Sequence, residues 1–353
     1  MPAYRFSNLE MRAIEYISRM PGIDVDLLAK LLRIPQSEAK KLKRKLSKIL
    51  ECVVVPNYRL LGWELLFVIY STMPVIGKPG AEVLESCTHV YQSPEYFFAT
   101  GFAQNYSELL RIYEKLCVEA KMQKKHMPLL IFPSECTTLL SFFEFENLLG
   151  RVYGNWFSRA PEESARREEL DQVARGILYH IVQNPIADEE RLSARLGVKR
   201  GVVKRKLNFL RKHGYYRQSI FLNLEQLGYR GFAFYHLNLP GEFRNAETLV
   251  ERGFPAFFAV ASTSDAILLV PYMDSEEIFE TSVSLTAGTT RNRYPVSIVN
   301  YGYFQFEDLE RLRENNYFAV LRRNRNFMFG DMGEGVIAES KRRRHKTDAG
   351  NGR

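Results

Sequence analysis

Two stretches of this 353-residue chain follow one pattern: residues 21–50 read PGIDVDLLAKLLRIPQSEAKKLKRKLSKIL, and residues 185–214 read PIADEERLSARLGVKRGVVKRKLNFLRKHG. In both, a proline opens the stretch, acidic residues begin a short apolar segment, and a longer segment rich in Lys and Arg follows. Apolar residues three and four positions apart predict amphipathic helices, and Pro or Gly predicts where they end. We therefore expect two three-helix units, each with a basic third helix.

Capping signals predict the helix ends, for example the Ser7 and Glu10 capping box at the first helix. A strand such as Cys52–Val55 follows each third helix and is expected to enter a two-stranded β-wing. Each unit is therefore predicted to be a winged helix-turn-helix, in which the third helix lies in the DNA major groove. The predicted second and third helices span about 24–32 and 36–50 in the first unit, and about 188–196 and 200–213 in the second.

Positive charge is concentrated in three segments, although the whole chain carries only a formal +8. Residues 24–50 contain eight Lys and Arg against three acidic residues, and residues 188–214 contain nine against three. Residues 338–353 contain six against two. Basic charge confined to particular helices is typical of a surface that binds a polyanion.

The exposed face of each predicted third helix supplies the candidate DNA contacts. Lys and Arg bind phosphates, and Arg, Lys, Asn and Gln can also read base edges. A basic helix can instead be only a solvated surface, but its occurrence twice in the same context favours DNA binding. The candidates are Gln36, Ser37, Lys40, Lys41, Arg44, Lys45 and Lys48 in the first unit and Arg200, Lys204, Arg205, Asn208, Arg211 and Lys212 in the second.

Similarity between the halves extends beyond these units. Residues 57–74 match 223–240 at an offset of 166 positions, and FEFENL (143–148) matches FQFEDL (304–309) at an offset of 161. We interpret the chain as two copies of one module of about 150 residues, an ordinary size for a folded unit. The two hexamers are expected to serve the same role, a strand end and the following helix, in each copy.

The remainder of each copy alternates strand and helix patterns in the order βαββαβ, which is the ferredoxin-like order. The predicted fold class is therefore α+β, with two winged helix-turn-helix domains that are each followed by a ferredoxin-like domain. The predicted strands are 65–70, 89–92, 96–101 and 129–132, then 232–236, 256–261, 266–270 and 296–301; the predicted helices are 81–87, 106–121, 246–252 and 275–286. The predicted domains are 1–64, 65–158, 170–230 and 231–322, with a charged linker at 159–169 and a disordered basic tail at 323–353.

This domain order resembles the Lrp/AsnC (feast/famine) transcriptional regulators of bacteria and archaea. Leu170-Asp171 followed by Ile177-Leu178 resembles the opening motif of that family, and Leu61-Gly62-Trp63 and Leu227-Gly228-Tyr229 resemble its LGY motif. The resemblance covers most of residues 7–320. It implies sequence-specific DNA binding and pairing through the ferredoxin-like sheets, so we expect this chain to pack its own two sheets together as a pseudo-dimer.

The sequence departs from the family where a small hydroxyl residue usually begins the third helix. Pro35-Gln36-Ser37 and Lys199-Arg200-Gly201 stand there, so the third helix of the second unit has no obvious N-cap. The family often binds amino acids through loops at the sheet interface, and the loops matched to them, Gly101–Asn105 and Thr263–Asp265, differ from each other. The effector-binding candidates are Gly101, Asn105, Thr263 and Asp265. The expected partners are double-stranded DNA and a small-molecule effector, with the chain a monomeric pseudo-dimer or a higher homo-oligomer.

Other chemistry is weakly signalled. The four cysteines form no CxxC pair, and among the histidines only Cys87-Thr88-His89 approaches metal spacing, so neither a metal nor a cofactor is expected. GDMGEG (330–335) lacks the βαβ context of a phosphate-binding loop, and KRRRHK (341–346) is either a solvated tail or a DNA-contacting arm. With no signal peptide or membrane span predicted, the protein is expected to be cytoplasmic. It is also not expected to be an enzyme.

Two alternatives belong to other functional classes. Sirohaem decarboxylases share this architecture, and His89 is the nearest candidate for such an activity, although the second copy has no counterpart to it. A protein-interaction scaffold would use the basic helices to bind an acidic partner. Absorbance on adding a tetrapyrrole would favour the first alternative, and a nuclease-protected footprint would separate DNA binding from the second.

Overall fold

The structure is a computed structural model that describes residues 6–20, 22–142, 169–239, 256–291 and 296–323. The first hexamer, the predicted helix at 246–252, nearly all of the predicted linker and the basic tail after residue 323 lie outside these ranges. The first half contains α1 (Asn8–Arg19), α2 (Val25–Leu32), α3 (Gln36–Leu46), β1 (Leu50–Pro56), β2 (Leu65–Ser71), α4 (Ala81–Ser86), β3 (Cys87–Gln92), β4 (Phe97–Ala103), α5 (Tyr106–Glu119), β5 (Leu129–Pro133) and β6 (Thr138–Phe142). The second half contains α6 (Gln172–Gln183), α7 (Glu189–Leu196), α8 (Arg200–Lys212), β7 (Tyr216–Leu222), β8 (Gly231–Asn238), β9 (Phe258–Ala261), β10 (Asp265–Tyr272), α9 (Ser275–Arg291), β11 (Ser297–Gln305), β12 (Glu310–Arg313) and α10 (Tyr317–Arg323).

The α+β fold class is confirmed, and the three helices of each basic unit fall where the sequence predicts them. One boundary is wrong, because α3 ends at Leu46 rather than near residue 50. The chain is already extended at Leu50, where β1 begins. Ser47 and Lys48 therefore lie in a turn between helix and strand.

Ten of the described strands form two five-stranded sheets, in the orders β12-β3-β4-β2-β5 and β11-β8-β10-β9-β6. All described pairings are antiparallel. Four neighbouring strands of each sheet follow the ferredoxin-like order, and the fifth comes from the other half of the chain. β6 thus joins the sheet of the second half, and β12 joins the sheet of the first.

The predicted β-wings are absent from the described residues, and this part of the fold prediction is wrong. A wing needs a second local strand to pair with the strand that leaves the third helix. After β1, however, the chain makes a tight turn at residues 57–62 and enters β2. β1 pairs instead with β7 across its whole length, from Leu50 opposite Leu222 to Pro56 opposite Tyr216. The two basic units therefore share one ribbon, to which each contributes a strand.

The ribbon ends in the same way on both sides. The backbone N–H of Asn57 donates to the carbonyl of Tyr215 at 2.8 Å, and that of Asn223 donates to the carbonyl of Ile49 at 2.7 Å. The following turns place Gly62 and Gly228 at φ angles of 86° and 91°. A Cβ is strained at such angles, which explains why glycine recurs in both turns.

Three apolar clusters hold these layers together. The outer face of the first sheet packs beneath α4 and α5, and the outer face of the second packs beneath α9. The inner faces of both sheets, the ribbon and the two three-helix units form one continuous core. Rings cross between the sheets in this core, such as Phe98 against Phe258 at 5.9 Å between ring centroids. In the described residues, no helix is long and apolar enough to cross a membrane.

The second hexamer does not have its predicted role of a strand end followed by a helix. FQFEDL covers the end of β11 and the turn into β12, so a strand rather than a helix follows it. FEFENL lies outside the described residues.

Candidate nucleic-acid interface

The first three-helix unit is fixed by caps and by a buried seam. Ser7 and Glu10 form a reciprocal capping box at α1, with the Ser7 N–H donating to the Glu10 carboxylate at 2.7 Å. Asp24 accepts from the backbone of α2 at 2.6 Å. Leu28 of α2 and Leu46 of α3 are fully buried in the same apolar core. α2 thus braces α3 and leaves the opposite side of α3 exposed to solvent.

The outer side of α3 carries the predicted contacts, and all of them are exposed. We use the name α3 basic face for the exposed Lys and Arg side chains on this outer side of the helix. Lys48 is also exposed, but its placement on the helix is wrong because it follows the end of α3. The α3 basic face consists of Lys40, Lys41 and Arg44, with Gln36, Ser37 and Lys45 beside it.

Other basic side chains of α3 are tied to the unit itself. The Lys43 ammonium donates to the carbonyl of Ile23, which lies between α1 and α2. Lys45 forms an ion pair of 2.7 Å with Glu10, whose side chain is only 8% exposed. A carboxylate of low exposure needs such a partner, since burial without one is costly. The density of Lys in this helix therefore serves two purposes, bracing on one side and a free cationic surface on the other.

The second three-helix unit repeats this division of labour. Its outer surface, the α8 basic face, is again wholly exposed. Lys206 lies on the inner side of α8 and forms an ion pair of 2.6 Å with Asp171, which also caps α6. Arg200 lies 3.1 Å from Glu189 of α7 and is partly engaged within the unit. The α8 basic face consists of Lys204, Arg205, Arg211 and Lys212, with Arg200 and Asn208 beside it.

Both third helices begin without a side-chain cap, which the sequence predicts for α8. Pro35 and Lys199 hold the N-cap positions, and neither side chain accepts a hydrogen bond from the helix. A Cβ added at Gly201 in the first turn of α8 would meet nothing within 4 Å, so this surface is open. The first backbone N–H groups of such a helix are available to phosphate oxygens, and the helix dipole favours their approach.

The ribbon places the two basic faces in one frame. Three residues separate α3 from β1, and three separate α8 from β7. The register is symmetric about Val53 and Ser219, which lie opposite each other and are 166 positions apart. Connections this short leave the two helices little freedom relative to the shared strands. Sequence reasoning missed this link because it assigned each strand to a separate wing.

The candidate effector residues are not brought together. Gly101 lies within β4, where an added Cβ would meet the carbonyl oxygen of Ser86 at 2.6 Å, so close packing explains it. Asn105 caps α5, and Asp265 accepts from His236 at 2.9 Å. Thr263 is exposed in the β9–β10 turn.

The predicted equivalence of the two effector loops is also wrong. Ser262 and Asp265 form a turn closed by three hydrogen bonds, and Ser93 and Tyr96 form the same turn between β3 and β4. The counterpart of Asn105 is Asp274, which accepts from the first turn of α9 at 3.0 Å. Matched turns and caps place these segments 169 positions apart, whereas the sequence comparison used a smaller offset.

A cavity of about 420 Å³ adjoins the start of α5. Asn105, Ser107, Arg111 and Arg323 contribute to its wall. Arg323 donates to Glu108 at 3.1 Å, while its second terminal nitrogen is buried without a hydrogen-bond partner in the described structure. This arginine, on the last described helix, was not singled out from the sequence.

The residue suggested for tetrapyrrole chemistry is a packing residue. His89 is fully buried on β3, and its Nε2 accepts from the backbone N–H of Asn315 at 3.2 Å. Burial holds the pKa of this imidazole well below its usual value, so it is neutral. Within the described ranges, no three His, Cys, Asp or Glu side chains group as a metal site would require.

Comparison with known proteins gives structural neighbours without sequence relatives. No family model matches the chain, and no curated protein matches it. Among solved structures, Bacillus subtilis LrpC is 12% identical, with a TM-score of 0.29, and the match covers 39% of this chain and 95% of that one. Escherichia coli AsnC is 16% identical, with a TM-score of 0.31 and coverage of 38% and 91%. The regulator NMB0573 of Neisseria meningitidis, in a complex with L-Met, is 20% identical, with a TM-score of 0.32 and coverage of 39% and 91%.

Proposed function

We propose that this protein is a sequence-specific DNA-binding regulator of transcription that presents two unlike recognition helices from one chain. The observation that carries the proposal is the pair of exposed basic faces on α3 and α8. Each lies on the third helix of a compact three-helix unit, and one ribbon joins the two units. In a helix-turn-helix the corresponding surface enters the major groove.

The separation of bound from free cations supports DNA as the partner. Lys43 and Lys206 are engaged inside their units. Lys41 and Arg205 extend into solvent from the outer sides of the same helices. A surface selected only for solubility gains from interspersed charges of both signs. These two faces carry one sign, and they present it on the elements that a groove can accommodate.

We further propose that the chain is a tandem duplication that folds as an intramolecular pseudo-dimer. The reciprocal exchange of β6 and β12, the symmetric ribbon and the paired glycine turns support it. So does the hydrogen-bonded turn that recurs at residues 93–96 and 262–265. A small-molecule effector belongs to the proposal as well, and the cavity beside Arg323 is the feature that supports it.

The proposal is tested by selecting bound duplexes from random DNA and then mapping the protected site by nuclease footprinting. Arg205→Gln is expected to weaken binding to the selected site by roughly 1–3 kcal/mol if Arg205 reads a base, and by less if it meets only phosphate. Lys206→Gln is the matched control, because it removes the same charge from the adjacent position on the inner side of α8.

Two outcomes would contradict DNA recognition through α8. One is a protein that selects no sequence and protects no site at moderate salt. The other is an Arg205→Gln variant that binds every duplex as the parent does, while its thermal unfolding is also unchanged. Retention of an acidic protein in place of DNA would favour the scaffold alternative.

A further inference from the structure

A chain of polar groups crosses the otherwise aromatic boundary between the two sheets. Tyr70 on β2 and His236 on β8 are 2% and 7% exposed, and the Tyr70 hydroxyl lies 2.9 Å from His236 Nδ1. On the far side of the ring, His236 Nε2 lies 2.9 Å from a carboxylate oxygen of Asp265. Their neighbours across the same boundary are rings, including Tyr91 against Phe232 at 5.0 Å.

The position of this contact in the fold is special. Tyr70 and His236 are 166 positions apart, as are Val53 and Ser219, which face each other at the centre of the ribbon. The rotation that relates the two halves of the chain therefore passes close to both pairs. If two identical modules were paired in this way, the residue at this place would meet its own copy. This step rests on the duplication proposed above.

The hydrogen bonds determine which nitrogen of His236 carries the proton. Asp265 is a carboxylate that accepts from Ser264 Oγ at 2.5 Å on one oxygen and faces His236 Nε2 with the other. An acceptor opposite Nε2 requires that Nε2 be the protonated nitrogen of the neutral ring. Nδ1 is then an acceptor, and a buried acceptor needs a donor. The Tyr70 hydroxyl is the donor placed opposite it.

A second histidine could not fill the place of Tyr70. Two neutral rings, each with its proton directed to an Asp265, would turn two acceptor nitrogens towards each other, and neither ring would donate to the other. We infer that the Tyr70–His236–Asp265 chain is a pairing-specificity determinant. It makes the second sheet accept the first sheet of the chain, which offers a hydroxyl, and disfavour the second sheet of another copy, which offers an imidazole.

The inference is tested in the full-length protein with the double variant Tyr70→His/Tyr96→Asp, and with Tyr96→Asp alone as its reference. Tyr96 holds in its turn the place of Asp265, so the double variant gives each of the two facing histidines a carboxylate. Tyr70→Phe is the control that keeps a ring and removes the hydroxyl, and its reference is the parent. Unfolding in urea is followed at pH 8 and pH 5.5, and each variant is compared with its reference at the same pH. At pH 8, the double variant and Tyr70→Phe are each expected to lower the ratio of folded to unfolded protein about tenfold or more, because a buried acceptor loses its donor.

Acid distinguishes the two variants. In Tyr70→His/Tyr96→Asp, protonation of one imidazole supplies a donor to the other, so this pair binds its proton more tightly when folded than when unfolded. The stability gained is therefore present below the unfolded imidazole pKa of about 6.5 and is lost as pH rises. Tyr70→Phe has no second imidazole and is expected to show no such recovery. The titratable groups that face His236 are Tyr70 from β2 and Asp265 from β10, and Asn300 of β11 is its neutral neighbour in register.

Three results would overturn the inference. The first is a double variant that unfolds at the urea midpoint of Tyr96→Asp at pH 8. The second is a Tyr70→Phe variant that unfolds at the parent's midpoint. The third is a loss of stability in both with no recovery of the double variant in acid. A measurement on the unmodified protein guards against variants that fail to fold: the ¹⁵N shifts of His236 should show a protonated Nε2 and an unprotonated Nδ1 at neutral pH. The opposite tautomer would contradict the hydrogen-bond assignment on which the inference depends.

Discussion

The strongest quantitative expectation concerns the salt dependence of DNA binding. In the described part of the chain, eight of the cations predicted to contact DNA are exposed and take part in no ion pair. If six to eight of these meet phosphates, the slope of log K against log salt is expected to be about −5 to −7, because each contact releases about 0.9 of a counterion. The eight are Lys40, Lys41, Arg44, Lys48, Lys204, Arg205, Arg211 and Lys212.

A fluorescence-anisotropy titration against a labelled duplex measures this slope. Between 50 and 200 mM salt, the affinity should fall by roughly a thousandfold to ten-thousandfold. Lys41→Gln should reduce the slope by about 1, since it removes one phosphate contact. Lys43→Gln removes the same charge two residues away, but its ammonium donates to Ile23 rather than facing solvent, so the slope should stay as in the parent.

A slope near zero would refute the DNA reading, whatever the affinity. Equal slopes for Lys41→Gln, Lys43→Gln and the parent would refute the assignment of the basic face, because charge would then act only through the net charge of the molecule. Thermal unfolding of each variant serves as the control for folding, which matters most for Lys43 because its contact braces the unit.

Three further expectations follow from the same geometry. Leu210→Ala should cost about 2–5 kcal/mol in urea unfolding, because this α8 side chain is fully buried, and a variant as stable as the parent would contradict the placement of α8. Gly62→Ala and Gly228→Ala should each cost roughly 1–3 kcal/mol, since both residues hold positive φ, and a loss at only one of them would argue against equivalent turns. With two unlike basic faces, the selected site should be asymmetric; inserting about five base pairs between half-sites should weaken binding sharply and about ten should partly restore it, whereas no change in gel-shift affinity would show that the two units act independently.

Local features were predictable because local chemistry fixes them. Helix starts are indicated by Ser7 with Glu10 at α1 and by Asp188 at α7. These residues cap the two helices in the structure. Alternating or continuous apolar residues predicted most of the strands, such as β2 and β10. The exposed cations of α3 and α8 were predicted for the same reason, since apolar residues three and four positions apart identify the buried side of each helix.

Partner choice between distant strands was not predictable in this way. The composition of β1 suits any antiparallel neighbour, so nothing local distinguishes a wing from a ribbon shared with β7. The pairing of β12 with β3, with Glu310 opposite Gln92, likewise depends on the arrangement of whole sheets. The contact between Tyr70 and His236 had a signal, namely their common offset of 166, but only the observed packing shows that these two positions meet.

The shared ribbon also bears on how the proposed regulator would read DNA. In a winged unit the strand after the recognition helix pairs locally, and two such units joined by a linker can turn independently. Here the backbone of Tyr215, just past α8, accepts from Asn57, and the backbone of Ile49, just past α3, accepts from Asn223. Each third helix is therefore anchored to the strand of the other unit, and a shift of one helix must deform a ribbon that both share. If the two basic faces read two half-sites, as proposed, the distance between those half-sites is set by this ribbon and the packed sheets behind it.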